Sequence, residues 1–175
     1  MEFHNLIDDR HSIRTFEARP VEREKMARIL HAASRAPSAR NLQSYKIALV
    51  TSKKLIRELA ATKPEQTWIA TAPVILVFLG DSEPWAAELG SEGQSLYTVQ
   101  DATIACTYAQ LAAADEGLGA CWVGTASVAD DVRKLLGLRD TLRPMALLPM
   151  GYPGGPPLMI TTRRPTEEMV IEFGE

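Results

Sequence analysis

The chain has 175 residues, 46% of them hydrophobic and 23% charged, with a net charge of −3. The length is a prior for one domain, spanning 1–175, with one substantial core, and the acidic balance excludes a phosphate-backbone footprint, so nucleic acid is not an expected partner. No apolar run reaches bilayer length, no basic-then-apolar leader opens the chain, and Cys106 and Cys121 are its two cysteines, which together point to a cytoplasmic protein with no membrane contact and no disulfide framework.

Residues 2–9 read as a short helix. Arg10-His11-Ser12-Ile13-Arg14 follows. In an extended segment Arg10, Ser12 and Arg14 turn to one side. Two planar guanidinium forks and a hydroxyl aimed at one point suit a phosphate or the electron-rich edge of a heterocycle. A solvated basic turn uses the same residues. Pro20 opens a second helix, in which Val21, Met26, Ile29, Leu30 and Ala33 share a stripe. It should stop near Arg35, because Pro37 disfavours helical geometry before it. Residues 36–44 form a polar loop, Lys46 to Thr51 a strand, and Ser52 caps a helix to about Ala61.

Residues 62–73 are irregular. Val74 to Leu79 is a continuous apolar run, the mark of a strand covered on both faces. Residues 81–93, with Pro84, Gly90 and Gly93, read as a second irregular stretch, and long loops often carry function. Gln94 to Glu116 is a long helix. Its middle, Ala102 to Ala114, is small or apolar almost all round, which places it in the core or a dimer interface. Gly117 or Gly119 supplies its left-handed cap. Residues 120–124 are a short strand and 128–136 a helix ended by Gly137. Residues 145–150 are a third apolar strand, whose Pro149 suggests an edge or a bulge. The tail holds Arg163-Arg164-Pro165 and closes on 169–173, read as an extra strand.

Familiar catalytic signatures are missing. The sequence has no Gly-x-Gly-x-x-Gly, phosphate loop, Cys-x-x-Cys, His-Glu-x-x-His or Gly-x-Ser-x-Gly. The adjacent carboxylates Asp8-Asp9 and Glu167-Glu168 would face different directions on a helix. No metal and no catalytic side chain is therefore expected, and any chemistry must come from a bound cofactor. Three features suit a single ligand: Arg10, Ser12 and Arg14; the 36–44 loop; and Arg163-Arg164. In the loop, Asn41 and Gln43 each offer one acceptor and two donors. That matches the mixed edge of a flavin pyrimidine, and ordinary turn chemistry accounts for it equally well.

Seven segments, in order, resemble the FMN-dependent nitroreductase family: Arg-His-Ser-Ile-Arg-Thr-Phe (10–16), Ala-Pro-Ser-Ala-Arg-Asn-Leu-Gln-Ser-Tyr (36–45), Ala-Pro-Val-Ile-Leu-Val (72–77), Gln-Asp-Ala-Thr-Ile-Ala (100–105), Gly-Leu-Gly-Ala-Cys-Trp-Val-Gly (117–124), Gly-Tyr-Pro (151–153) and Arg-Arg-Pro (163–165). The resemblance implies an α+β fold in three layers, a mostly antiparallel sheet flanked by helices, assembled as an intertwined homodimer with one FMN in each of two interface sites. It implies that Arg10, His11, Ser12 and Arg14 hold the phosphate and the N1/O2 edge. The loop residues Pro37, Ser38, Ala39, Asn41 and Gln43, supplied by the partner chain, would lie against the flavin. Gly124 and Thr125 would present backbone N–H groups near N5 and O4, with Trp122 and Val123 beneath the ring, and Arg163 or Arg164 would reach the phosphate.

The implied activity is an NAD(P)H-dependent oxidoreductase. It would reduce a flat acceptor, such as a nitroaromatic, quinone or enone, in ping-pong order. Trp68, Trp85 and Tyr97 are candidates for lining the acceptor pocket, with ordinary packing as the competing reading. Rival functions are another flavin chemistry on this scaffold (reductive dehalogenation or flavin fragmentation) and a non-enzymatic flavin-binding module. The chain departs from the pattern at His11, where many members have arginine, and at Thr161-Thr162, where a tail lysine often stands. Gln66 and Thr67 occupy a place where some relatives put a lysine on the flavin. The brief 81–93 stretch makes substrate class the least transferable property.

Overall fold

Strand β2, Val74–Asp81, is buried at all eight positions, as an apolar run covered on both faces requires. The structure is a computed structural model describing residues 2–88, 91–159 and 161–174. β2 is an inner strand of an antiparallel sheet ordered β1-β2-β5-β3, with β4 also on β5. Here β1 is Tyr45–Val50, β3 Gly119–Ala120, β4 Val123–Gly124 and β5 Leu142–Gly151. The helices are α1 (Phe3–Asp9), α2 (Arg23–Ser34), α3 (Lys53–Ala61), α4 (Glu83–Glu88), α5 (Ser91–Asp115) and α6 (Ala129–Leu135). No helix among the described residues is long and apolar enough to cross a membrane.

Alternation along β2 divides the core in two. Leu76 and Phe78 join Ala146, Leu148 and Met150 in packing against α2 and α5. Ile75, Val77 and Leu79 join Leu147 and Val123 against α3 and α6. The result is helix, sheet and helix in three layers, the α+β arrangement expected. Both predicted glycine stops are used. Gly117 (φ 74°) ends α5 and Gly137 (φ 61°) ends α6. In each, the next amide reaches back five residues, Leu118 N–H to Ala113 at 2.8 Å and Leu138 N–H to Arg133 at 3.0 Å. From α2, Lys25 donates to the Glu116 carbonyl and Arg28 pairs with its carboxylate at 2.5 Å.

Four expectations change. First, residues 81–93 are not an irregular stretch: α4 occupies 83–88 and α5 begins at 91, with Leu89 and Gly90 outside the described residues. Pro84 sits in the first turn of α4, where a missing N–H costs nothing, and Asp81 Oδ1 accepts the Glu83 N–H at 3.1 Å. Second, Pro149 lies in an inner strand, and the irregularity of β5 falls opposite Phe78/Leu79 instead. The register of β3 on β5 runs on into that of β4, so Cys121 faces Pro149. The Cys121 N–H donates to the Pro149 carbonyl at 3.2 Å. Proline has no amide to return, and that splits one edge strand into β3 and β4.

Third, α5 is not covered all round within one chain. Ala102, Ala105, Cys106, Ala109 and Ala113 form its buried stripe, while Leu96, Val99 and Tyr108 are exposed. Fourth, 169–173 form no strand in this chain. A single 3-10 turn, Thr166–Glu168, precedes them, and Met169, Val170, Ile171 and Phe173 are exposed.

One glycine ties the N-terminal segment to the sheet. A Cβ on Gly119 would stand 2.6 Å from the Ile13 Cβ, an atom fixed to the backbone. Gly119→Ala is therefore expected to lower stability by about 1–3 kcal/mol through overpacking, read as a lower urea midpoint with an unchanged slope.

Candidate functional site

The edge strand running through β3 and β4 builds the site. Its backbone groups alternate between two sides. Cys121 N–H and Thr125 N–H face β5, donating to Pro149 and Met145 carbonyls at 3.2 and 3.3 Å. Ala120 faces the other way, and its carbonyl accepts the Ile13 N–H at 3.1 Å. Ser12 and Ala120 form a parallel bridge. The same alternation turns the Gly124 N–H to the side where the Arg10–Arg14 segment lies. Gly124 is exposed, and a Cβ there would meet nothing within 4 Å. The backbone thus offers an open, flat approach at Gly124.

Thr125 does not share that role. Its N–H is spent on Met145, its hydroxyl donates to the Pro144 carbonyl at 2.7 Å, and the residue is fully buried. The expectation of a Thr125 N–H presented to a ligand is corrected on these grounds. Val123 is also buried, in the α3/α6 half of the core, whereas Trp122 is half-buried against the α2/α5 half.

Ile13 points inward and is buried, so its neighbours turn outward. Ser12 is bridged to Ala120, next to Cys121, and the charges of Arg10 and Arg14 act on the Cys121 thiol. Burial pushes the Cys121 thiol up, and the Arg14 charge, a Ser12 hydrogen bond and the Arg10 charge pull against that rise. His11 is turned back, with Nδ1 donating to the Asp9 carbonyl at 2.8 Å.

The loop before β1 has an unusual backbone. Arg40, Asn41 and Gln43 all have positive φ, at 51°, 57° and 49°. Left-handed geometry at a residue other than glycine costs of order 1–3 kcal/mol, so the surroundings must impose it. Ser38 Oγ accepts the Gln43 N–H at 3.0 Å, and the Gln43 side-chain amide donates to the Asn41 carbonyl at 2.9 Å. Asp101 of α5 accepts the Ala39 N–H at 3.0 Å and the Ser44 N–H and hydroxyl at 3.2 and 2.5 Å. Pro37, Asn41 and Gln43 are exposed; Ser38 and Ala39 are half-buried.

The chain does not bring these two halves together. The loop enters β1 at Tyr45, opposite Gly80, which faces Arg143. The arginine segment lies against Ala120, opposite Met150. Strand and residue spacings put the loop and the arginine segment about 19 Å apart across the sheet and about 23 Å apart along it.

The remaining candidates separate. Trp68 lies beside the wall, its ring centroid 6.0 Å from the Arg14 guanidinium carbon and 6.4 Å from Phe16. Trp85 is 1% exposed and donates Nε1–H to Ser44 Oγ at 2.9 Å. It cannot line a pocket, and packing is its role. Tyr97 stacks on it at 4.6 Å. Arg163 and Arg164 are exposed, Arg163 donating to Thr161 Oγ1 at 3.3 Å. Sequence reasoning missed Asp101, Ser44 and Cys121. A lone carboxylate among alanines in a buried helix is the signal that marks Asp101.

Known proteins share this fold. The NADPH:FMN oxidoreductase of Vibrio harveyi, solved with NAD+, superposes with a TM-score of 0.88 at 28% identity, covering 98% of this chain and 77% of its own. NfrA2 of B. megaterium gives 0.89 at 27%, covering 98% and 74%. In sequence, the FMN reductase [NAD(P)H] of Bacillus subtilis is 30% identical over 159 residues, 84% of this chain and 64% of its own length. The family model described as the nitroreductase family matches residues 7–63 and 59–152, spanning the arginine segment, the left-handed loop and the split edge strand, and the chain belongs to that family.

Proposed function

We propose that this chain is an FMN-dependent oxidoreductase that uses NAD(P)H to reduce a flat acceptor (a nitroaromatic, quinone or enone) and works as a homodimer with both flavin sites at the interface. The observation that carries this reading is the arginine segment, bridged at Ser12 to Ala120 beside the edge strand, on the side to which the Gly124 N–H points. Its donor chemistry fits FMN: guanidinium forks for the phosphate and the electron-rich ring edge, a backbone N–H at Gly124 for a ring acceptor, and no side chain at Gly124 to obstruct a flat ring. When bound, FMN supplies hydride transfer at N5, accepting two electrons from NAD(P)H and yielding them to the acceptor in ping-pong order.

The residues of this chain bind, orient and polarise. Arg10 and Arg14 place fixed positive charge where a reduced ring gathers negative charge, and preorganised charge does this without reorganising water. Trp68 closes the Arg14 side. The opposite corner, Pro37, Ser38, Ala39, Asn41 and Gln43, is out of reach of its own arginines and serves the site of a second copy. Arg163 or Arg164 of the exposed tail completes the grip on the phosphate. The exposed apolar residues of α5 and of the tail are the surfaces that such a dimer covers.

Arg14→Ala is expected to weaken FMN binding by about 2–5 kcal/mol, tens- to thousands-fold in Kd. Titration of apoprotein with FMN, followed by flavin fluorescence, measures it, and unchanged affinity would mean that the cofactor is gripped elsewhere. Light scattering should give a dimer; a monomer that binds FMN fully would refute the shared site. Steady-state assays with NADH and NADPH against a quinone, a nitroaromatic and a halophenol identify the acceptor, and parallel double-reciprocal lines are expected for the productive pair. Turnover of the halophenol alone would move the reading to dehalogenation.

A further inference from the structure

Asp101 sits on α5, and its side chain is buried behind the 36–44 loop with 1% exposure. Three donors converge on its two oxygens: Ala39 N–H on Oδ1, and Ser44 N–H and Ser44 O–H on Oδ2. The two amides flank the left-handed residues Arg40, Asn41 and Gln43. Asp101 therefore grips the loop at both ends of its strained section. Ser44 is itself oriented. Its oxygen accepts the Trp85 indole N–H at 2.9 Å, which directs its proton to the carboxylate, and Trp85 stacks on Tyr97 one turn before Asp101 on α5. Such chains of polarised hydrogen bonds strengthen one another in a buried setting.

We propose that Asp101 is a positioning residue acting across the dimer. By holding the loop of its own chain in its left-handed shape, it delivers Asn41 to the FMN gripped by the arginines of the other chain. The carboxylate touches neither cofactor nor substrate. Its charge is required because its partners among the described residues are all donors. An amide in its place keeps one acceptor oxygen and turns an NH2 group toward an N–H. The role rests on the flavin reading above.

The test uses the full-length protein. Asp101→Asn is expected to fold and dimerise, to raise the FMN Kd roughly tenfold or more, and to shift the visible band and reduction potential of the flavin it still binds. Ser44→Ala, which deletes the hydroxyl shared with Trp85, should change the same quantities less and in the same direction, and it carries the test if the first variant does not fold. A mixed dimer separates positioning from general damage. Co-expressing an Asp101→Asn chain with an Arg14→Ala chain under different tags gives one site bearing both changes and one bearing neither. One wild-type-affinity FMN site per mixed dimer is expected. Two weakened sites would overturn the proposal, because Asp101 would then act within its own chain. Unchanged affinity, band and potential in both single variants would also overturn it. A wild-type protein that takes up no FMN would instead overturn the flavin reading on which the role rests.

Discussion

The proposed site depends on how one short strand divides its backbone groups. At Cys121 the amide faces β5 and bonds to Pro149; at Ala120 the carbonyl faces the opposite way and takes the Ile13 amide. Consecutive residues of a strand cannot send these groups to one side. Gly124 must therefore follow Ala120, and its N–H and the arginine segment share a side of the sheet. Ile13 sets the phase of that segment. Its side chain fills the place beside Gly119 where a Cβ would be, so Ser12 and Arg14 turn out. A slip of one residue would expose Ile13 and drive the arginines into the core, and burial of one face forbids that.

The same sheet keeps the two halves of the proposed flavin wall apart. Two inner strands, β2 and β5, separate the loop's edge from the arginine edge, and the loop and the arginines lie at opposite ends of them. No rotamer change closes such a gap. The surface of the chain is uneven in a corresponding way. Leu96 and Val99 on α5 are 56% and 42% exposed, and Phe173 in the tail is 95% exposed. The proposed second copy would answer both needs at once: it would cover apolar surface that one chain leaves in water, and it would supply the missing corner of the proposed site.

Much of this was legible in the sequence, and the failures have physical reasons. The apolar run at 74–79 and the glycine stops at 117 and 137 are local signals, and each became the expected element. Pro84 misled because proline breaks a helix interior but suits its first turn, and the sequence does not say which turn it occupies. Pro149 misled because a missing donor can be tolerated by an inner strand when its neighbour is a short edge strand that simply breaks. The 169–173 pattern is a strand pattern without a strand partner in its own chain. Trp85 looked like a pocket residue because aromatic side chains in a variable stretch read alike until burial is known. Asp101 was visible only as one letter of a family-like segment; its meaning lies in amides 57 and 62 residues away along the chain.

The loop's residue choice explains why it needs an anionic clamp. Glycines would take positive φ without strain, but they would present no amide side chain and would leave the loop with many shapes. Arg40, Asn41 and Gln43 carry useful groups into a backbone region that disfavours them, Asn41 least of the three. The strain has to be offset from outside, and what the backbone offers for that purpose is N–H groups, so the offsetting group must accept. A carboxylate on a long helix packed into the core is a stiff acceptor. Gln43 then turns its own amide onto the Asn41 carbonyl, so that its side chain braces the turn. Asn41, exposed at the centre of the strained section, is left as the side chain that the loop holds out.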